Sequence, residues 1–341
     1  MRVGILGPIA WRTPPKHYGP WEQVVWTLAE GLVKRGADVT LFATGDSITS
    51  ARLRWVCPRP TNEDPSLDAK VYEFLHLGAC LEEAASFDLI HNHFNCYPLC
   101  FSSLVQRPIL TTLHGSALLE PNTRIVYSRF KHLPYVSISH AERAGLPELN
   151  YTATVYNGLN MDQFAFNPNP KDYLLFLGRI SPKKGTHLAI RLARDTGHRL
   201  VIAGYVPPDE EGYFEEKIRP EIGGAIEYIG PVGPKERNEV LGKAKALLHL
   251  ITVPEPFGLV MAEAQACGTP VVGLNLGSVA EVVENGVTGF VVGSLQEAAE
   301  ALEELDRIDR PACRKRAETY FSAEAMVEGY LEVYRRVLAN N

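Results

Sequence analysis

No stretch of this sequence stays apolar long enough to cross a bilayer, so no membrane-spanning helix is expected. A basic excess is also missing. The chain has 34 Lys and Arg against 40 Asp and Glu, a formal charge of −6, which argues against a nucleic-acid binder. The six cysteines (Cys57, Cys80, Cys96, Cys100, Cys267 and Cys313) are scattered through a large chain. The opening MRVGILGP runs straight into a strand pattern without secretion-signal architecture, so reduced thiols and a cytoplasmic enzyme are expected. There is no P-loop. The first strand carries only Gly4 and Gly7, a G-x-x-G and not G-x-G-x-x-G, which leaves a nicotinamide dehydrogenase as a lesser alternative. No D-x-D pair occurs, so a nucleotide-bound divalent metal has no evident ligands, and neither a metal nor a cofactor is expected. Tandem repeats and low-complexity tracts are absent.

What is present reads as α/β. At 341 residues, 45% hydrophobic and 22% charged, the chain is an ordinary globular protein of two-domain length. An apolar run at residues 3–9 leads to a face of Val24, Val25, Leu28, Ala29, Leu32 and Val33, a helix stopped by Gly36. The strand ADVTLFAT follows, completing a strand–helix–strand unit of the parallel, right-handed type. A helix at about 68–86 and the strands FDLIHNHF, PILTTLHG, PYVSISH and TATVYNG continue the pattern. A Pro/Asn-rich connector at 159–172 precedes a second series: YLLFLGRI, LVIAGY, IEYIGPV, ALLHLIT, PVVGLN and GFVVG. Near-continuous apolar strands belong to sheets covered on both faces. The expected fold is two Rossmann-like domains, residues 1–165 and 166–322, with a last helix from about 323 to 341.

The densest signal is ITVPEPFGLVMAEAQACGTPVVG, residues 251–273. Pro256 and Gly258 break the apolar run, Leu259 to Cys267 reads as a helix, and Gly268 sits at its C-terminal end. Backbone N–H groups around Phe257, Gly258 and Leu259, with the helix dipole, make a site suited to a pyrophosphate. Glu255 lies before the helix and Glu263 inside it, so the two grip different parts of one ligand rather than act as a paired acid and base. Two solvated glutamates on an ordinary loop–helix is the plainer alternative.

GRISPKKG, residues 178–185, ends a strand and opens a helix, with Arg179 and Lys184 placed to neutralise a pyrophosphate. A solvated loop with a lysine pair is the alternative. In LGSVAEVV, residues 276–283, Ser278 and Glu281 fit a capping box, and the amides of Gly277 and Ser278 remain available to a ligand. TLHG puts His114 and Gly115 at the carboxyl end of a strand, where open α/β sheets bind ligands. His91 and His93 end another strand, and with Cys96 and Cys100 they read H-x-H-x2-C-x3-C. The spacing invites zinc but lacks knuckle or helical register, so His93 is expected to line the cleft and His91 to pack. In KHYGPWE, residues 16–22, Gly19 admits a phosphate, and Lys16 and Trp21 are candidate acceptor contacts with His93.

Together these motifs resemble the family-four retaining glycosyltransferases, the group-one type of GT-B fold. The residues carrying the resemblance are GRISPKKG, EPFGLVMAEAQACGTPVVG with its E-x7-E spacing, LGSVAEVVENGVTGFVV, TLHG, VYNG and YGPWEQVVWTLAEGL, which together span essentially the whole chain. The resemblance implies a nucleotide-diphosphate sugar donor, held mainly by the second of two domains facing one cleft. It assigns Arg179 and Lys184 to the diphosphate and Glu263 to the ribose. Glu255 with the amides of Phe257 and Gly258 falls on the transferred sugar, His114 reaches that sugar from the first domain, and Gly19 the phosphates. It implies a last helix, from about Ala323, crossing back onto the first domain. Two departures stand out: Gly19-Pro20 replaces the family's common Gly-Gly, removing one N–H, and Ala37 replaces its usual histidine.

The expected activity is metal-independent retaining transfer of a hexose, from UDP-glucose first and GDP-mannose second. A catalytically silent nucleotide-binding partner subunit, or a phosphorylase or epimerase of the same fold, are the alternatives. Residues 1–165 carry 14 Lys and Arg against 15 Asp and Glu, too few basic groups for strong anionic-membrane docking. A small soluble or glycan acceptor is therefore favoured.

Overall fold

The computed structural model describes residues 1–16, 19–115 and 121–340, which divide into two compact units. One comprises Met1–Leu159 with Ser322–Asn341, the other Asn160–Phe321.

The first unit is built on seven strands: β1 (Arg2–Leu6), β2 (Asp38–Phe42), β3 (Arg52–Arg54), β4 (Leu89–Asn92), β5 (Ile109–Thr112), β6 (Tyr135–Ser137) and β7 (Tyr151–Thr154). They are all parallel, in the order β3-β2-β1-β4-β5-β6-β7. Residues of β4 and β5 are buried throughout, as expected for strands covered on both faces. The helix Pro20–Lys34 buries Val24, Val25, Leu28, Ala29 and Leu32. Helix Ala69–Glu82 starts at Asp68, whose side chain accepts from the Val71 amide, and it gives way to a 3-10 turn at Ala84–Ser86. The short edge strand β3 was not expected.

The second unit repeats the scheme with β8 (Leu174–Leu177), β9 (Leu200–Ala203), β10 (Ile226–Gly230), β11 (Ala246–His249), β12 (Val271–Leu274) and β13 (Gly289–Val292). The order is β10-β9-β8-β11-β12-β13, again parallel. In both sheets the order reverses beside the first strand, between β1 and β4 and between β8 and β11. Doubly wound sheets bind ligands outside the carboxyl ends of strands at such a switch point.

The C-terminal helix, Ala323–Ala339, belongs to the first unit and buries Met326, Val327, Tyr330, Val333, Tyr334 and Val337. Ser322 caps it by accepting from the Ala325 amide, and the Ala323 amide donates to the Leu159 carbonyl at 2.8 Å. Its contact with helix Pro20–Lys34 is close: a Cβ on Gly31 would lie 2.3 Å from Val327 Cγ2. The chain changes unit at Leu159, earlier than the expected residue 165. Residues 160–165 face the second unit because their polar groups pair there. Asn238 donates to the Gln163 carbonyl at 2.9 Å, and Arg314 donates to that of Phe164 at 2.6 Å. Among the described residues no helix is long and apolar enough to cross a membrane.

Candidate functional site

In the second unit, the loops after β8, β11 and β12 are stitched together. Arg179 follows β8, is exposed, and lies near the Tyr205 hydroxyl. Lys184 closes a 3-10 turn whose Ser181 hydroxyl accepts from the Lys184 amide. That turn is fastened to the loop after β11 by the Thr252 amide, which donates to the Lys183 carbonyl at 3.0 Å. Gly185 has φ +73°, and a Cβ there would sit 1.8 Å from the Leu250 carbonyl oxygen, so only glycine fits.

The Lys184 ammonium forms an ion pair with Glu255. Two residues expected on different parts of a ligand thus neutralise each other here. Burial pushes the Glu255 carboxyl up, but Lys184, His249 and Arg179 outweigh it and hold the group below its usual range. His249, at the end of β11, is held down to about 4 by burial. Its Nε2 lies 4.0 Å from Glu255 Oε2 and has no hydrogen-bond partner among the described residues. Nothing in the sequence pattern marked His249.

Helix Leu259–Ala266 begins at Gly258, φ +75°, and helix geometry leaves its first backbone N–H groups without intrahelical acceptors. Phe257 is buried, with its ring against Phe321 at 5.7 Å. Glu263 is 8% exposed and forms an ion pair with Arg237, Nη1 lying 3.1 Å from Oε1. Arg237 comes from helix Pro234–Lys243, and the sequence pattern there gave no hint of it.

Ser278 departs from expectation. No capping box forms: its hydroxyl donates to the Phe257 carbonyl at 2.8 Å. Its amide is not available either, because it donates to the Glu255 carbonyl at 2.9 Å. A Cβ on Gly277 would lie 2.2 Å from that same carbonyl oxygen. Gly277 and Ser278 therefore set the backbone that carries Glu255, and Ser278 offers no free donor to a ligand.

The first unit gathers its polar groups after β4 and β5. His114 is partly exposed, and its ring lies 5.3 Å from that of Trp21. His93 does not line an open surface as expected. It is 0% exposed, lying behind His114 with Nδ1 2.8 Å from His114 Nε2. His93 Nε2 lies 3.2 Å from His91 Nδ1, and His91 in turn meets Tyr334 and Thr112. Burial lowers all three histidines, His114 to about 3, so each is neutral near pH 7. The ring nitrogens of His91 and His93 are thus committed to neighbouring side chains, and Cys96 is buried while Cys100 is exposed. Among the described residues no group of three or more His, Cys, Asp and Glu is arranged to hold a metal ion.

Gly115 does not present a free amide: it donates to Glu142 Oε1 at 2.5 Å, while Ile138 N–H donates to Oε2 at 2.9 Å. Burial pushes this carboxyl up to about 8, against the pull of those amides. Glu142 was not singled out from sequence. Lys16 is held at the surface by Glu63 at 3.4 Å, and His17 and Tyr18 of the same loop lie outside the described residues. Gly19 precedes helix Pro20–Lys34 with φ +155°, packed on Pro15 and Glu22.

Glu22 is 2% exposed, accepts from the Trp11 amide at 3.2 Å, and is pushed up to about 7 by burial. Its stabilising contribution is therefore fully present below its unfolded value and is lost as pH rises through 7. Glu22→Gln is expected to gain on the parent protein between pH 5 and 8.5 by roughly 2–3 kcal/mol. Chemical denaturation of both proteins at the two pH values measures this, and a pH-independent difference would refute it.

The family model described as glycosyl transferases group 1 matches residues 160–319, and that described as glycosyltransferase family 4 matches residues 21–163. The chain is 27% identical to an uncharacterized glycosyltransferase of Methanocaldococcus jannaschii over 63% of its length and 64% of that protein. It is 28% identical to a D-inositol 3-phosphate glycosyltransferase of Mycolicibacterium paratuberculosis over 68% of its length and 56% of that protein. The matches thus span about three-fifths of these curated relatives. Among solved structures, AviGT4, a glycosyltransferase involved in avilamycin A biosynthesis, superposes with a TM-score of 0.74 at 25% identity, covering 100% of this chain and 98% of that one. Sucrose-phosphate synthase from Thermosynechococcus elongatus shares the fold, with a TM-score of 0.78 at 18% identity and full coverage of both chains. The two parallel-sheet units match the GT-B architecture, and adjoining family models cover them in turn; the chain belongs to the group 1, family 4 type of glycosyltransferases.

Proposed function

We propose that this protein transfers a hexosyl group, with retention, from a nucleoside-diphosphate sugar to a hydroxyl acceptor. The observation carrying the reading is the grouping of Arg179, the Lys184–Glu255 pair and the start of helix Leu259–Ala266 on stitched loops at one sheet edge. Fixed cations beside free backbone N–H groups suit a departing diphosphate, where negative charge grows as the sugar leaves. In the reaction the C1–O bond to phosphate breaks and a bond from the acceptor oxygen forms on the same face. The acceptor's proton passes to the departing phosphate oxygen, so no carboxylate nucleophile is needed.

Within this reading Glu263, one oxygen paired to Arg237, holds the ribose, and Glu255 meets the transferred sugar. His114 supplies a sugar contact. Anabaena HepE, a protein of similar fold (TM-score 0.73 at 18% identity), has been crystallised with UDP-glucose, which favours UDP-glucose as the first donor to try and GDP-mannose as the second. The acceptor is a small soluble molecule or a glycan. Melting points measured against UDP-, GDP- and ADP-sugars test the donor, since a ligand of the native state raises them. Donor hydrolysis without acceptor separates an enzyme from a subunit that only binds nucleotide; binding with no hydrolysis and no transfer would overturn the proposal.

The leaving diphosphate is neutralised by Arg179 and Lys184, and the sequence contains no D-x-D pair. Activity is therefore expected to survive excess chelator. Stoichiometric zinc found by elemental analysis, with activity lost on its removal, would reverse that expectation.

A further inference from the structure

The buried contacts behind His114 are all within the first unit and form one connected set. Tyr334 hydroxyl lies 2.7 Å from His91 Nδ1, and His91 Nε2 lies 2.8 Å from Thr112 Oγ1. Thr112 Oγ1 lies 2.9 Å from the Tyr330 hydroxyl. His91 Nδ1 also faces His93 Nε2, and His93 Nδ1 faces His114 Nε2. His91, His93 and Tyr334 are 0% exposed, so water does not complete their hydrogen bonding. Among the described residues His114 Nδ1 has no hydrogen-bond partner and is not sealed from solvent.

Each imidazole here is neutral and carries one N–H, so the five contacts constrain one another. If the Tyr334 hydroxyl donates to His91 Nδ1, that nitrogen is a lone pair and His91 Nε2–H donates to Thr112. His93 must then turn an N–H toward His91 Nδ1, since two facing lone pairs repel. His93 Nδ1 is left as an acceptor, and His114 must donate through Nε2–H. Every contact then has its own proton, and the His91 Nδ1 lone pair takes two donors. In the opposite arrangement His91 Nδ1–H is shared between Tyr334 and His93, and the fully buried Tyr334 hydroxyl hydrogen is left without a partner among the described residues. One atom of His91 is shared either way; a phenol is a stronger hydrogen-bond donor than acceptor, so the 2.7 Å contact with Tyr334 donating decides between them.

We infer that His91 and His93, anchored by Tyr334 of the C-terminal helix, are positioning residues that hold His114 as its Nε2–H tautomer and so present Nδ1 as a hydrogen-bond acceptor. His114 therefore takes a hydroxyl donor, not a carbonyl or phosphate oxygen. That the donor is a hydroxyl of the transferred sugar rests on the proposed function; the tautomer does not.

Imidazole 1H–15N correlation spectra of the full chain, with His114 assigned through His114→Asn, read the tautomer directly. The expected result is a protonated His114 Nε2 with an unprotonated Nδ1; a protonated Nδ1 would overturn the inference. In His93→Asn, Oδ1 can stand in for Nδ1, so the tautomer and most of kcat are expected to persist. In His93→Leu His114 is expected to populate both tautomers, with kcat reduced and the donor KM little changed. Equal tautomer ratios in the two variants would remove the positioning role. The expected tautomer together with an undiminished rate in His114→Ala would count against the sugar contact alone.

Discussion

Lys184→Ala is expected to slow glycosyl transfer by about 10²–10³-fold, and Arg179→Ala by a similar factor. On the proposed function each residue supplies a positive charge where the leaving diphosphate would develop negative charge, and losing one such contact costs about 3 kcal/mol of transition-state stabilisation. Neither is a core residue: Arg179 is exposed, and the Lys184 side chain keeps 26% of its exposure. The fold is therefore expected to survive. Lys184→Ala also strips Glu255 of its partner, raising the carboxyl and costing some local order in the loop after β11. Lys184→Met, which keeps the stem and loses the charge, separates packing from electrostatics and should be as slow. Circular dichroism and melting curves establish folding, and single-turnover rates at saturating donor report the chemical step. Near-parental rates in both alanine variants would remove the diphosphate site from this edge of the sheet.

The two glutamates are expected to divide by kind of effect. Glu263→Gln should weaken binding of free nucleoside diphosphate by roughly tenfold to a hundredfold, because hydrogen bonds to a charged group contribute about 1.5–3 kcal/mol. The Arg237 pair engages one carboxylate oxygen; on the proposed function the second meets a ribose hydroxyl. Arg237→Met should reproduce part of that loss by releasing the carboxylate. Glu255→Gln should behave differently. It frees Lys184 from a competing carboxylate, so diphosphate affinity is expected to hold or rise while transfer of the sugar falls. Calorimetry with UDP and GDP on all three variants, alongside turnover, resolves the pattern. If Glu255→Gln lost nucleotide affinity and Glu263→Gln kept it, the two roles would have to be exchanged.

Local pattern carried most of the architecture. The runs VGILGPI, ADVTLFAT, FDLIHNHF and YLLFLGRI are legible because a strand buried on both faces is rich in apolar residues along its length. β3 escaped notice since Arg52-Leu53-Arg54 is a three-residue edge with only a central apolar side chain. The connector was visible, but its side of the boundary depends on Asn238 and Arg314, residues about 75 and 150 positions away. The same limit applies at the site. Arg179, Lys184, Glu255 and Glu263 stand out by spacing, whereas Arg237, His249 and Glu142 are defined by tertiary partners. Ser278 misled because S-x-x-E is also satisfied when the hydroxyl finds a better acceptor, here the Phe257 carbonyl. His91 and His93 looked like possible metal ligands, yet His91 is partnered by Thr112 and Tyr334 and His93 by His114, all from other segments of the chain.

The return of helix Ala323–Ala339 to the first unit makes the second unit a contiguous insertion, residues 160–321, within a discontinuous host. During synthesis the inserted unit has all of its chain before its host receives its last helix. Gly31 and the buried end of His91 remain uncovered until then. Loss of the final twenty residues would thus damage the remote amino-terminal sheet and spare the neighbouring one, and residues 160–321 form the segment suited to production in isolation.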